Sequence, residues 1–190
     1  KPPVAVISTS PRSPVPESEP TKGSHAPQRR GPPHRPAAAS TPKHYSERST
    51  FGPLPVSANV GRALDRMNYT TPTAIQEQVI HLVRAGQDVV GQAQTGTGKT
   101  AAFGIPLVEM IDQSARGIQA LVLVPTRELA VQVRGEITRL GQFCNIGSVA
   151  IYGGQAMVRQ LDSLRKGCHI IVATPGRLMD HMERGTIDLR

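Results

Sequence analysis

Three short apolar runs, Ala120-Leu-Val-Leu-Val124, Val149-Ala-Ile-Tyr152 and His169-Ile-Ile-Val-Ala173, constrain the fold of this chain more than any other feature. Each is followed by a stretch with helical periodicity, at 126–140, 155–165 and 176–184. A strand apolar at nearly every position must be buried on both faces. Strands of this kind alternating with helices predict a parallel sheet covered on both sides, joined by right-handed crossovers. A further unit precedes these three: Asp88-Val-Val reads as a short buried strand, Ala93–Thr100 as a glycine-rich turn, and Ala101-Ala-Phe-Gly-Ile-Pro-Leu-Val108 as an apolar helix. Upstream, Ser57 is placed to cap a helix carrying Val60, Leu64 and Met67 and closed by Asn68. A second helix is expected to begin near Pro72, show Ile75, Val79 and Leu82, and stop at Gly86. In the stretch 126–140, Leu129, Val133, Ile137 and Leu140 form a core stripe and leave Arg134, Glu136 and Arg139 for water.

Composition divides the chain. Of 17 prolines, 11 fall in residues 1–50, which show no sustained period of 2 or 3.6. Such a segment buries too little apolar surface to offset its ordering entropy, so residues 1–50 are expected to form a disordered tail ahead of a domain at 51–190. Eight Lys or Arg against Glu17, Glu19 and Glu47 give the tail +5 of the chain's formal +8. It reads either as a basic arm that raises non-specific RNA affinity through counterion release or as a solvated linker. No apolar run approaches the roughly 18 residues of a membrane-spanning helix, which argues against a membrane partner. Cys144 and Cys168 are too few for a disulfide framework and lack zinc-ligand spacing, so they are read as reduced thiols of a cytoplasmic protein. The six histidines are read as surface or packing residues, Asp180 and Glu183 as a solvated helix face, and Met157, Met179 and Met182 as core filler.

The segment Ala93-Gln-Thr-Gly-Thr-Gly-Lys-Thr100 ends in the G-K-T of a phosphate-binding loop, between a strand and a helix. Glycines let the N–H groups of Thr95, Gly96, Thr97 and Gly98 converge on phosphates, and the helix N-terminus adds partial positive charge. Lys99 is expected to reach the β- and γ-phosphates of a bound nucleotide, and Thr100 to hold Mg²⁺ through its hydroxyl. Position 93 departs from the general pattern by being Ala rather than Gly. Upstream lie Phe51, Tyr69 and Thr71-Pro-Thr-Ala-Ile-Gln76. An aromatic ring stacks on a base, and a glutamine amide donates and accepts at once, as the N6/N7 edge of adenine requires.

An aromatic residue, then P-T-x-I-Q, then A-x-T-G-[ST]-G-K-T is the order in which this chain resembles the DEAD-box RNA helicases, and Ala93 is that family's own variant. Pro125-Thr-Arg-Glu-Leu-Ala130 resembles the family's motif Ia, Gly153-Gly154 its GG element, and Thr174-Pro-Gly-Arg177 its motif Ib. All three follow strands, at the carboxyl ends where open α/β sheets bind ligands. The resemblance implies an RNA-binding edge made by Pro125, Thr126, Arg127, Gly153, Gly154, Thr174, Pro175, Gly176 and Arg177, with the arginines on phosphates. Taken singly, P-T-R-E-L also serves as a helix start and T-P-G-R as a turn.

The resemblance further implies a partial first RecA-like domain, with ATP and Mg²⁺ as cofactors and single-stranded or short duplex RNA as partner. It places the D-E-A-D strand, which would lie beside the phosphate-loop strand, and a second RecA-like domain beyond residue 190. No D-E-A-D occurs in the chain. The expectation is therefore an N-terminal piece of an ATP-dependent RNA helicase, without turnover by itself. A non-hydrolysing adenine-nucleotide or RNA-binding module, or a DNA helicase of the same superfamily, stands as the alternative.

Overall fold

The computed structural model describes residues 49–189. The expected tail therefore lies outside the described residues, except that the first strand already includes Thr50. A hairpin of β1 (Thr50–Phe51) and β2 (Leu54–Pro55) pairs antiparallel. Helix α1 (Ala58–Arg66) starts where the Ser57 hydroxyl accepts from the Val60 N–H, and Asn68 closes the turn with φ of 57°. Helices α2 (Ala74–Arg84) and α3 (Lys99–Met110) follow. Then come β3 (Ala120–Leu123), α4 (Arg127–Leu140), β4 (Ser148–Ile151), α5 (Met157–Arg165), β5 (Ile170–Ala173) and α6 (Pro175–Glu183).

The three strands form a parallel sheet in the order β3-β5-β4, as the apolar runs require. Leu123, Ala173 and Ile151 are in register, so the chain leaves all three strands at one edge. Side chains alternate between faces. Val122, Ile170 and Val172 join the core that contains Leu64, Ile80, Ile105 and Ile137, whereas Leu121, Ile171 and Ala173 join Ile151, Leu178 and Ile187. Helices α1 to α4 thus supply one layer, and Leu178 of α6 anchors the other. Against the first, α3 packs closely on α4: a Cβ at Gly104 would stand 2.9 Å from Leu140 Cδ1.

Four expectations are corrected. Asp88–Val90 has no strand pairing, and Val90 is fully exposed, because no strand among the described residues lies beside it to satisfy its backbone. Helix α2 begins at Ala74 rather than Pro72, because Thr73 takes the cap position. Met179 and Met182 lie on the open side of α6, at 57% and 45% exposure, while Met157 is half-buried. Glu136 is half-buried and accepts from the Tyr69 hydroxyl, so it is not left to water, whereas Arg134 is exposed as expected while its Nε donates to the Ser148 carbonyl. Among the described residues no helix is long and apolar enough to cross a membrane, and Cys144 and Cys168 are buried free thiols.

Candidate functional site

The phosphate loop is held by helix α2. Thr73 and Gln76 have the T-x-x-Q spacing of a capping box, and Gln76 Oε1 accepts from the Thr73 N–H at 2.9 Å. The remaining groups of both residues reach the loop: Thr73 Oγ1 donates to the Thr97 carbonyl at 2.8 Å, and Gln76 Nε2 to the Gly98 carbonyl at 3.1 Å. Gln76 is buried. Gly98 has φ of +80° and lies so close to Gln76 Nε2 that a Cβ there would collide with it, so only glycine fits.

Within the loop, Thr97 Oγ1 donates to the Gln94 carbonyl at 2.7 Å, and Lys99 Nζ donates to the Gln94 carbonyl at 2.8 Å and to that of Ala93. The ammonium is therefore held at the mouth of the loop. The N–H groups of Thr95, Gly96, Thr97 and Gly98 find no protein acceptor among the described residues, and nothing would obstruct a Cβ at Gly96. Unpaired donors, a lysine and the start of α3 at Lys99-Thr100 make a set that suits a phosphate chain. Thr100 stands next to Lys99 in the first turn, where a hydroxyl ligand to a phosphate-bound cation belongs. Among the described residues no group of three or more His, Cys, Asp or Glu is placed to hold a metal directly.

Thr71 is exposed just ahead of this cluster. Phe51 is wholly buried in the helical core and Tyr69 half-buried against it, its hydroxyl 3.1 Å from Glu136 Oε1 on α4. Burial, then the Glu136 carboxylate, raises the Tyr69 pKa above its ordinary value. The hairpin adjoins the same segment, since a Cβ at Gly52 would touch Pro72 Cδ at 2.6 Å. At its far end α2 is tied to α3: Arg84 Nε donates to Glu109 Oε2 at 2.9 Å, and Glu109 Oε1 accepts from the Ser57 N–H at 2.8 Å.

The second cluster occupies the sheet edge where β3, β4 and β5 end. Bonds from the Val124 N–H to the Ala173 carbonyl and from the Thr174 N–H to the Ile151 carbonyl extend the ladder to the motif residues. Thr126 caps α4, its hydroxyl accepting from the Leu129 N–H at 3.3 Å, and Thr174 takes the cap position of α6 ahead of Pro175 and Gly176. Pro125, Thr126, Arg127, Gly153, Gly154, Pro175 and Gly176 are exposed. A Cβ at Gly154 would lie 3.5 Å from Arg127 Nη1, and Arg177 Nη1 donates to the Gln155 carbonyl at 2.9 Å. Motif-like segments separated in sequence are thereby brought into contact.

Between them runs an open groove of about 700 Å³, lined among others by Arg127, Glu128, Tyr152, Gly154, Gln155 and Arg159. The N-termini of α4 and α6 add partial positive charge to the edge. Arg127 Nε donates to Glu128 Oε1 at 2.6 Å, and this bond holds the Glu128 carboxyl below its ordinary range. Arg177 is mostly covered, with Asp180 Oδ2 3.4 Å from its Nε.

Sequence reasoning missed Thr73, Tyr152, Gln155 and Arg159. The capping-box spacing signals Thr73. Tyr152 precedes Gly153, and Arg159 falls in the first turn of α5, but nothing local marks either as a groove residue.

The family model for the DEAD/DEAH box helicases matches residues 73–190. The chain is 52% identical over 141 residues to the DEAD-box ATP-dependent RNA helicase CshA of Bacillus licheniformis, covering 74% of this chain and 29% of that protein. It is 50% identical over 142 residues to the ATP-dependent RNA helicase DeaD of Mycobacterium tuberculosis, covering 74% of this chain and 25% of that protein. The crystal structure of a DEAD box protein from Methanococcus jannaschii superposes with a TM-score of 0.66 at 44% identity, over 70% of this chain and 37% of that one. The chain thus spans less than a third of these two curated relatives. With its phosphate loop, its parallel sheet and a family match over most of the described residues, the chain belongs to the DEAD/DEAH box helicase family.

Proposed function

We propose that this chain is the part of an ATP-dependent RNA helicase that holds adenine nucleotide on its phosphate loop and RNA on the edge formed by Arg127, Gly153, Gly154 and Thr174. The observation that carries this reading is the pair of bonds from Thr73 and Gln76 to Thr97 and Gly98, which make one unit of the glutamine segment and the phosphate loop. Lys99 and the unpaired loop N–H groups would take the β- and γ-phosphates. Thr100 would take a magnesium ion, which when bound neutralises charge on the phosphate oxygens. At the sheet edge, Arg127 and the starts of α4 and α6 would hold phosphates of the RNA strand, and Gly153 and Gly154 would let the backbone approach it.

We assign hydrolysis and strand separation to a longer protein. A phosphate loop needs a further acid and a water-positioning group; no D-E-A-D occurs in these 190 residues, and the chain spans less than a third of the curated relatives it matches. The two unpaired thiols favour a reducing, cytoplasmic setting. The test is titration of fluorescent ATP and ADP into the purified chain, with GTP as competitor and Gln76→Ala and Lys99→Ala alongside. Adenine-selective binding lost in both variants supports the reading; a folded chain that binds no nucleotide overturns it. RNA-stimulated ATP turnover by these residues would refute the assignment of hydrolysis, and a preference for DNA over RNA that of the substrate.

A further inference from the structure

Two buried polar side chains lie behind the glycine loop and play no part in the function proposed above. Gln160 on α5 and His181 on α6 are 1% and 0% exposed, so any unmet polar group there carries a full desolvation penalty. Their bonds form a directed chain. Gln160 Nε2 donates to the Tyr152 carbonyl at 2.8 Å. Gln160 Oε1, which can only accept, faces His181 Nε2 at 3.0 Å, so that ring nitrogen carries its hydrogen. His181 Nδ1 faces the Thr186 hydroxyl at 2.8 Å. Turning the Gln160 amide over would set its oxygen against the Tyr152 carbonyl, so the carbonyl fixes the orientation of the amide.

The loop that carries Gly153 and Gly154 is gripped at both ends. Gln160 holds the Tyr152 carbonyl at its start, and Arg177 holds the Gln155 carbonyl at its end. Arg177 and His181 are four residues apart on α6, so the two grips arise from one helix face, one directly and one through Gln160. Helix α6 begins at Thr174-Pro-Gly, and its face therefore fixes the neighbouring loop in the conformation in which the glycines are exposed.

We infer that Gln160 and His181 are positioning residues for the Tyr152–Gln155 loop: the hydrogen-bonded chain from α6 presets the backbone of Gly153 and Gly154 for an RNA strand. This rests on the RNA edge proposed above. Both residues are buried, and among the described residues no hydrogen bond links either to the phosphate loop's cluster.

The test uses the purified chain with amide hydrogen exchange, a single-stranded RNA oligonucleotide and a fluorescent ATP analogue. Gln160→Glu keeps the acceptor for His181 and, as a carboxylate, cannot donate to the Tyr152 carbonyl; Gln160→Met, which has no donor in any protonation state, is measured beside it. Exchange at Gly153, Gly154 and Gln155 is expected to accelerate, and RNA affinity to fall about tenfold, with ATP affinity unchanged. His181→Leu is expected to act alike, whereas His181→Gln, whose Nε2 can still donate to Gln160, stays near the parent. Should Gln160→Glu fail to fold, Gln160→Met removes the same donor without burying a charge. Unchanged exchange in a folded Gln160 variant, or a parallel loss of RNA and ATP affinity, overturns the proposal. If the unsubstituted chain binds no RNA, the RNA edge fails and the exchange rates alone decide whether the loop is positioned as described.

Discussion

Gln76 and Gly98, 22 positions apart in the chain, are joined by a bond of 3.1 Å from the side-chain amide to the backbone carbonyl. The other end of that amide closes the cap of α2 on Thr73. A glutamine read as a contact for a base is thus also a brace between a helix and the phosphate loop. Gln76→Ala is therefore expected to weaken more than adenine recognition. Inorganic triphosphate, which has no base, is expected to bind about three- to tenfold more weakly to Gln76→Ala than to the parent. Competition of triphosphate against a fluorescent nucleotide measures this, and an unchanged triphosphate affinity would leave Gln76 without a bracing role.

Arg127 lies open beside Gly154, its guanidinium paired with the equally exposed Glu128. If that group takes an RNA phosphate, Arg127→Ala should lower affinity for all RNA sequences alike and reduce the salt slope of log K by about one. Glu128→Gln removes the competing carboxylate and is expected to strengthen RNA binding by a small factor, because both groups are exposed and solvent screens the pair. Fluorescence anisotropy at several salt concentrations separates these outcomes. A salt slope that does not move in Arg127→Ala would place the phosphate contact elsewhere.

The alternation of apolar runs with helical periods made the parallel sheet legible, because burial on both faces leaves its mark at every position of β3 and β5. The order β3-β5-β4 was not legible, since no local signal says which strand stands in the middle. Asp88-Val-Val looked like a strand on composition alone, yet a strand exists only where a neighbour takes its N–H and C=O groups. The site shows the same division. Glycines and Lys99 declare themselves by spacing, and Arg127 by its motif, whereas the Gln160–His181 pair is separated by 21 positions and becomes visible only when α5 and α6 are set side by side. Thr73 is the intermediate case: its capping-box spacing is visible in the sequence, but the loop it reaches is not.

Glu109 joins three helices, accepting from Ser57 at the start of α1 and from Arg84 at the end of α2. Its side chain is 14% exposed and that of Arg84 25%, so solvent screens the pair only in part. Glu109→Ala leaves the guanidinium without its partner and the Ser57 N–H unmet, and is expected to cost about 2 kcal/mol of stability. Urea unfolding followed by circular dichroism gives that number. Replacing both charged residues, as in Arg84→Met with Glu109→Met, is expected to cost less than the sum of the single changes, because the second removes a charge the first has stranded.

Acid should act on the fold through His181. Burial is the main cause that lowers its pKa below the ordinary 6.5, and Arg177 and Arg184 press in the same direction while Asp180 opposes them. The unfolded chain then takes up a proton at a higher pH than the folded one, so protonation favours unfolding. Stability from this group is complete above about 6.5 and declines as pH falls through the lower, folded value. The thermal midpoint of the chain is expected to drop on going from about pH 7.5 to about pH 5.5. His181→Gln retains a donor toward Gln160 but has no proton to gain, so its midpoint should change less over the same interval. An equal slope in the two proteins would assign the acid sensitivity to other groups.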